Sequence, residues 1–370
     1  MEPILDEQQS LMRETAVRLC KDHGGPKRAR ALRNAATEMD VPAWMELVRS
    51  GWLSAAVSED AGGMGKGMLD VCLALEESGR QLLMVPFAEV AAVAHILGKI
   101  GARAENQLRA IQQGLQILVP ALPQEGWGNV GSALPLARSE GGQWFLDGTI
   151  KHVPFAQTAQ SYFVAAKRSS RKKAGGEIML CAVLKHLVKL HTVQNVDGST
   201  SSELVMEGSL VEESQVMARG GEAQALLDTL RDLLAITTGA ALVGVSSQAL
   251  DMTLDYIKYR QQFGKALGSF QALQHRVADC FVDIELNRSL VYRVAASYDA
   301  GQGHPAMAAA VKARTSRVAL SVTRDALQLH GAIGYTDEHD IGLYYKRAIA
   351  LAALYGNDIN QTARFSALTV

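Results

Sequence analysis

The segment YIKYRQQFG, residues 256–264, is followed along the chain by FQALQ at residues 270–274 and by QLHGAIGY at residues 328–335. In the first segment Arg260 stands three residues before Phe263. This spacing offers a charged fork to a pyrophosphate and an apolar wall to a flat ring. Taken alone, Arg260 is better explained as a surface cation at a helix end. Phe263 and Gln271 in register with it favour a ligand site instead.

The regions around these segments have helical periodicity. Phe270, Leu273, Val277, Phe281 and Ile284 recur at the three- and four-residue spacing of a buried helix stripe. A second helix is predicted after Pro305, from Ala306 to His330. The following Gly331 and Gly334 let the backbone approach a dinucleotide closely, and Gly331 also fits a helix C-cap. The sequence therefore predicts a C-terminal helical bundle over residues 219–370.

The middle of the chain, residues 115–218, changes to short apolar or alternating runs separated by Gly and Asp. This pattern predicts a β domain, and Leu146-Asp147-Gly148 reads as a hairpin turn. Residues 1–114 have helical stripes again, for example from Met68 to Leu83. The sequence thus predicts a mostly α protein with a central β domain. No strand, glycine loop and helix follow one another as in a dinucleotide-binding βαβ unit, which argues against a Rossmann-type dehydrogenase.

The composition of the chain limits the classes of protein to which it can belong. The 370 residues carry a formal net charge of −1, so no overall field recruits nucleic acid or an anionic membrane. No stretch approaches 18 uncharged apolar residues, and the start of the chain has no secretory pattern. The four cysteines have no CxxC spacing, which fits a reducing compartment and gives no metal site. We expect a cytoplasmic protein without nucleic-acid or membrane partners.

Together the three C-terminal segments closely resemble the signatures of the acyl-CoA dehydrogenase family. The N-terminal half is similar to it more loosely, through Gly51-Trp52-Leu53 and the stretch from Ser58 to Gly63. The resemblance covers essentially the whole chain. It implies a helical domain, a small β domain and a C-terminal four-helix bundle. It also implies FAD, an acyl-CoA thioester substrate, electron-transfer flavoprotein as electron acceptor, and an oligomer.

The resemblance assigns FAD contacts that are made across a subunit interface. In the family these positions touch the flavin dinucleotide held mainly by a neighbouring subunit, and Tyr256 lies near the substrate. The cofactor residues implied for this chain are Arg260, Phe263, Gln271, Gln328, Gly331, Gly334 and Asn357.

The chain departs from the family where the catalytic base is expected. The reaction removes a proton next to a thioester, which needs a carboxylate in a dry pocket. At the position where most relatives carry glutamate this chain has Tyr355, and a phenol of pKa about 10 is a poor base at pH 7. In a minority of relatives the glutamate lies on an earlier helix, where this chain has Leu234. The catalytic base is therefore unknown.

The flavin-facing segments of the β domain depart as well. The residues that usually hydrogen-bond the flavin correspond to His152-Val153-Pro154 and to residues 122–129, and proline has no N–H to donate. Asp232 survives from a pair that helps to hold the CoA ester, with Ala235 at the arginine position. Asp232 either binds a pantetheine amide or acts as a base. His152 is the titrating group near the predicted flavin face, and a hydrogen-bonding role is the simpler reading.

Three hypotheses follow. The chain is a subunit without a base in a heteromeric acyl-CoA dehydrogenase, paired with a homologous chain that supplies the base. Alternatively it is a self-sufficient homo-oligomeric enzyme with a non-standard base, or a flavin-free scaffold or binding protein of the same fold. The segments that contact FAD across the subunit interface are retained, whereas the β-domain segments that would hold the flavin of the chain itself have changed. This contrast favours the first hypothesis. Bulky acyl groups such as steroid side chains, or dicarboxylic acyl groups, are the substrates implied for such heteromers.

Overall fold

The structure is a computed structural model that describes residues 5–123, 134–168 and 176–369. In this part of the chain, strands lie between Leu118 and Arg219 and in one short hairpin, and helices form most of the rest. The prediction of a mostly helical protein with a central β domain is therefore confirmed.

The helices that precede the sheet are α1 (Glu7–His23), α2 (Pro26–Asn34), α3 (Val41–Arg49), α4 (Met68–Arg80), α5 (Phe87–Ile100) and α6 (Glu105–Gln112). The strands of the sheet are β1 (Leu118–Ala121), β2 (Leu136–Glu140), β3 (Gln143–Pro154), β4 (Ser161–Arg168), β5 (Ile178–Leu184), β6 (Lys189–Gln194), β7 (Thr200–Val211) and β8 (Val216–Arg219). After the sheet come α7 (Gly220–Tyr259), the hairpin strands β9 (Gln261–Gln262) and β10 (Lys265–Ala266), α8 (Gln271–Asp299), α9 (Pro305–His330), α10 (Ile341–Ala353) and α11 (Asp358–Thr369).

The chain divides into two compact units, and the division falls within α7. The helical unit comprises the chain up to Ala35, Met68–Leu83, and the chain from Ala235 on. The sheet unit comprises Ala36–Gly67 and Met84–Leu234. Each unit has its own buried core.

In the sheet unit the strand order is β6-β7-β3-β2-β4-β5-β8, and β1 pairs with β4. The pairs of β4 with β1 and with β2 are parallel, and the other pairs are antiparallel. Most of β4 and β5 is buried, which explains why these two strands read as continuous apolar runs rather than as alternating ones.

The predicted hairpin at Leu146-Asp147-Gly148 is wrong. Strand β3 continues through these residues, and the Asp147 carboxylate accepts a hydrogen bond from the Gly208 N–H at 2.7 Å, where the pairing with β7 shifts register. The turn into β3 is instead Gly141-Gly142, with φ angles of 59° and 82°. Two residues at positive φ match the twist of the strands that a tight hairpin joins. Asp147 therefore supports a strand irregularity rather than a turn.

In the helical unit, α7 crosses α4 at very short range. A Cβ atom at Gly244 would lie 1.8 Å from the Glu76 carbonyl oxygen, and one at Gly79 would lie 2.1 Å from that of Ala241. Gly239 is similarly close to Val311 of α9, at 2.6 Å. The small residues of α7 thus allow tight helix packing.

This contact gives a stability prediction. Replacing Gly244 by Ala should lower the free energy of unfolding by about 3 kcal/mol, because the methyl group would overlap a backbone oxygen that cannot move alone. Gly221 of the same helix is the control, since a Cβ there meets nothing within 4 Å and Ala should be tolerated. Urea unfolding of the two variants measures the difference, and equal midpoints would contradict the tight crossing.

A helix long and apolar enough to span a membrane is present, namely α7. Its most apolar window is 94% buried inside the protein, as in the core helices of soluble proteins. Length and composition alone are therefore weak grounds for a membrane span here.

The predicted apolar stripe of α8 is buried only in part. Ile284 is 2% exposed, whereas Phe281 is 52% exposed and Leu273 and Val277 are half-buried. Val282 is also 53% exposed. The expectation of a stripe buried within the chain is thus wrong for the residues before Ile284, because the described chain covers that face only in part. A small apolar cavity of about 360 Å³ lies beside it, lined by residues including Ile257, Val277 and Phe281.

Candidate functional site

The hairpin after α7 presents the first predicted motif. The Arg260 N–H bonds the Tyr256 carbonyl at 2.9 Å, and the Arg260 carbonyl accepts from the Leu267 N–H at 2.8 Å. Phe263 and Gly264 form the tip with φ angles of 54° and 81°. Two residues in this left-handed region make the tight two-residue turn, and glycine at the second position suits it. The local sequence therefore fixes where Arg260 leaves the helix.

The Arg260 side chain borders a cavity of about 550 Å³ in the helical unit. Its guanidinium is exposed and has no ion pair or hydrogen bond with any residue that the structure describes. The walls of this cavity, called the Arg260 cavity below, are formed by Met252, Asp255, Tyr256, Tyr259, Arg260 and His339. An uncommitted guanidinium beside aromatic rings can bind a phosphate and a flat heterocycle at the same time.

Phe263 and Gln271 lie at the two ends of the same short connection. Phe263 is 87% exposed, and its ring meets that of Phe270 edge-on with centroids 6.3 Å apart. The Lys265 ammonium lies over the Phe270 ring at 4.2 Å. Gln271 is the first residue of α8 and is exposed. An apolar ring at this exposure on a tight turn is available to a ligand or to another chain.

The glycine motif ends α9 as predicted. Gly331 is the C-cap with φ 66°, and its N–H bonds the Gln328 carbonyl. A Cβ at Gly331 would meet nothing, so this glycine is needed for its backbone angle and leaves open space beside it. A Cβ at Gly334 would lie 3.0 Å from the Leu327 carbonyl oxygen, so Gly334 serves close packing. The Gln328 side chain is exposed on the last turn.

Tyr256 joins the two motifs. Its hydroxyl donates to the His330 carbonyl at 3.3 Å, and the two rings stack with centroids 4.4 Å apart. His339 packs against both rings, at 4.5 Å from His330 and 6.1 Å from Tyr256. Burial lowers the pKa of both imidazoles, which favours their neutral forms. The structure thus brings Arg260 and Tyr256 together at one cavity and connects them to the end of α9.

The position of the expected base is a well-held turn between α10 and α11. Tyr355 and Gly356 have φ angles of 56° and 91°. The Gln361 side-chain amide donates to the Tyr355 carbonyl at 2.7 Å, and the Lys312 ammonium donates to the Gly356 carbonyl at 3.0 Å. Asn357 accepts from the Asn360 N–H at 2.9 Å, so its side chain caps α11. The turn keeps a defined shape although it carries no carboxylate at Tyr355.

Lys312 of α9 is fully buried beneath this turn, and sequence reasoning missed it. Its ammonium donates to the Ser316 hydroxyl at 2.9 Å and to the Ala352 and Gly356 carbonyls at 3.0 Å each. Three acceptors match the three N–H groups of an ammonium. Burial nevertheless lowers the pKa of Lys312 to about 7. A lysine within a run of small and apolar residues, AAAVKA at 308–313, was the available signal.

A pH-dependent stability follows from the lowered pKa of Lys312. Between pH 7 and its ordinary pKa near 10.4 the unfolded chain binds a proton that the folded chain has released, so the free energy of unfolding rises with pH. We expect this contribution to be about 1.4 kcal/mol per pH unit at most. Lys312→Met should remove it, which unfolding curves of both proteins at pH 7, 8 and 9 will measure. Parallel pH profiles would contradict the prediction.

In the sheet unit, the predicted flavin-facing segment is irregular. His152 is exposed with φ 59°, at the bulge where the pairing of β3 with β7 shifts between Ile150 and Val153. Pro154 is the buried last residue of β3, and Phe155 has φ 54°. The Glu38 carboxylate accepts from the N–H and the hydroxyl of Thr158, both at 2.7 Å, and so holds the turn that follows. Residues 124–129 of the other predicted segment lie outside the described residues.

Asp232 and Leu234 are buried on α7 within the sheet unit, at 4% and 1% exposure. Tyr256, the other predicted substrate residue, lies in the helical unit and contacts the Arg260 and His330 motifs instead.

Comparison with known proteins places this arrangement in a family. Residues 6–107 match the family model described as acyl-CoA dehydrogenase, N-terminal domain, and residues 224–364 match acyl-CoA dehydrogenase, C-terminal domain. Acyl-CoA dehydrogenase IpdE2 of Mycolicibacterium smegmatis is 28% identical over 98% of this chain and 99% of its own length. Mitochondrial isovaleryl-CoA dehydrogenase of Solanum tuberosum is 28% identical over 93% and 86%.

Solved structures agree with the sequence relatives. A variant of the Tcur3481-Tcur3483 steroid ACAD superposes with a TM-score of 0.88 at 27% identity, covering 98% of both chains. The ChsE4-ChsE5 complex from Mycobacterium tuberculosis has the same fold, with a TM-score of 0.85 at 23% identity over 99% of this chain and 98% of that one. With its N- and C-terminal domains both matched and its fold shared, the chain belongs to the acyl-CoA dehydrogenase family of FAD-dependent oxidoreductases.

Proposed function

We propose that this chain is the base-lacking subunit of a heteromeric acyl-CoA dehydrogenase that converts an acyl-CoA to the 2,3-enoyl-CoA. One observation carries the proposal, namely the contrast between two sets of positions. Arg260, Gln271 and Gln328, which resemble cross-subunit FAD contacts, are exposed and ready for a ligand. The position of the base holds Tyr355, and the flavin-facing strand ends in Pro154.

Arg260 and the other predicted cofactor residues fit part of a flavin dinucleotide. The uncommitted Arg260 guanidinium would take the pyrophosphate, and Phe263 would form an apolar wall. The open space beside Gly331 admits a close approach of the backbone. Gln271, Gln328 and Gly334 would complete the contact, whereas the Asn357 side chain is already engaged in capping α11. When bound, FAD supplies the hydride acceptor, and this chain would bind and orient its phosphate end.

This chain has no carboxylate at either position from which the family removes the substrate proton. Tyr355 sits on a turn fixed by Lys312 and Gln361, and Leu234 fills the alternative base position with an apolar side chain. Asp232 is buried, and it either binds the pantetheine or acts as a base of low competence; His152 is the weaker candidate. The proton would therefore be removed by a carboxylate of the partner subunit.

A homologous acyl-CoA dehydrogenase chain is the proposed partner. The similarity to the Tcur3481-Tcur3483 steroid ACAD, whose name joins two chains, supports this. The exposed face of α8 with Phe281 and Val282 supports it as well. We propose a cytoplasmic tetramer that acts on a bulky acyl-CoA and passes electrons to electron-transfer flavoprotein. A self-sufficient homo-oligomer with a non-standard base and a flavin-free scaffold are the competing outcomes.

The visible spectrum tests the proposal. The chain is purified alone and together with the protein encoded beside its gene, and acyl-CoAs are added to each. We expect a colourless or weakly yellow chain, and a yellow complex whose flavin band bleaches with a thioester. A lone chain with a full, bleachable flavin band would establish the self-sufficient enzyme, and a complex without flavin would establish the scaffold.

A further inference from the structure

Helix α2 makes an unusual contact with the segment that follows the Gly331 turn. None of its residues is fully buried, although Ala29 packs against the hydrophobic core of the helical unit. The Arg33 guanidinium binds both oxygens of the Asp337 carboxylate, at 3.0 and 2.6 Å. Arg30 binds the Asp340 carboxylate and donates to the Asp337 carbonyl at 3.0 Å. Two arginines, two carboxylates and a carbonyl thus form one network between distant parts of the sequence.

The geometry of this network decides how strongly it holds the segment, because an isolated exposed ion pair contributes little to stability, typically about 0–1 kcal/mol. The side chains of Arg33 and Arg30 are only 21% and 22% exposed, whereas those of Asp337 and Asp340 are 56% and 40% exposed. Arg33 and Asp337 also meet as two parallel hydrogen bonds, the geometry that gives an arginine–carboxylate pair its strength and its direction. The network is therefore suited to fix the position of residues 337–340 rather than only to add charge attraction.

Residues 337–340 carry one wall of the Arg260 cavity. His339 lies between the two aspartates and lines that cavity together with Tyr256 and Arg260. Its Nδ1 atom accepts from the Ile341 N–H at 3.2 Å at the start of α10. The arginines hold this segment from the side of α2, and the imidazole faces the cavity. A shift of the segment would move His339 relative to Arg260.

We infer that Arg30 and Arg33 are positioning residues that hold the Asp337–Asp340 segment, and with it His339, against the Arg260 cavity. The inference deepens the proposed function and rests on it for one consequence, namely that loss of the network weakens FAD binding in the assembled complex. Its other consequence, the order of the segment itself, can be measured in the chain alone.

The test uses the Arg30→Ala/Arg33→Ala variant and the charge exchange Arg33→Asp with Asp337→Arg. Lys27→Ala is the matched control, because Lys27 is an exposed cation of α2 without an ion pair in the described part of the chain. We expect amide hydrogen exchange of residues 337–341 to be about fivefold faster in the double alanine variant, and FAD binding by the complex to be about fivefold weaker. The exchanged pair should recover at least half of both effects, and Lys27→Ala should show neither.

Unchanged exchange and FAD binding in the double alanine variant would overturn the inference. So would a general loss of stability that the charge exchange does not repair, because this would make the arginines structural only. Faster exchange with unchanged FAD binding, in a complex where Arg260→Ala does lose FAD, refutes the positioning role while the proposed function stands. If Arg260→Ala also retains FAD, the proposed FAD contact of Arg260 is refuted, and exchange in the lone chain still decides whether the network holds the segment.

Discussion

Replacing Arg260 by Ala should weaken FAD binding by the assembled complex about a hundredfold, corresponding to about 3 kcal/mol. The proposed contact is a charge-assisted hydrogen bond between a guanidinium and a pyrophosphate, which is stronger than a neutral one. In the free chain this guanidinium has no partner among the described residues, so no internal ion pair must be broken before it binds. The flavin absorbance that remains after gel filtration, followed by titration with FAD, measures the loss.

Two further variants make the Arg260 result specific. Arg260→Lys keeps the charge but loses the planar fork, so it should fall between wild type and alanine. Lys258→Ala removes a cation from the same end of α7 that is already paired with Asp255 at 3.0 Å, and it should retain FAD. If Arg260→Ala keeps its full flavin content, or if Lys258→Ala loses as much, the pyrophosphate role of Arg260 is excluded.

Replacing Glu76 by Gln should lower the free energy of unfolding by about 2–3 kcal/mol. Glu76 of α4 is 2% exposed, and its carboxylate binds Arg288 at 2.9 Å and accepts from the Tyr292 hydroxyl at 2.6 Å. Arg288 also donates to the Ser247 hydroxyl at 2.8 Å. Arg288 also binds the Glu285 carboxylate of its own helix, so the neutral amide removes the more buried of its two counter-ions and weakens the network without leaving the guanidinium unpaired.

Urea unfolding measures the effect of Glu76→Gln, with Glu46→Gln as the control. Glu46 forms an exposed pair with Arg49 three residues further along α3, and its loss should change stability by less than about 1 kcal/mol. A loss of similar size in both variants would show that the buried network is no more important than a surface pair.

The sequence by itself was sufficient for the fold class and for the ends of several elements. Periodicity and turn residues act over a few neighbouring positions, so they can be read without the fold. Pro305 begins α9 and Gly331 caps it, as these local patterns predict. The motif around Arg260 could likewise be predicted from the sequence, because the conformation of the hairpin tip at Phe263-Gly264 depends on these two residues themselves.

Tertiary structure decided what depends on partners far along the chain. Which of two turn signals becomes a hairpin, Gly141-Gly142 or Asp147-Gly148, depends on the pairing of β3 with β7. The described elements cover the α8 stripe before Ile284 only in part. Arg33 meets Asp337, Arg288 meets Glu76 and Lys312 meets the turn at Tyr355 only after the helices have packed. Such contacts join residues that are separated by up to hundreds of positions, and a single sequence carries no local pattern that pairs them.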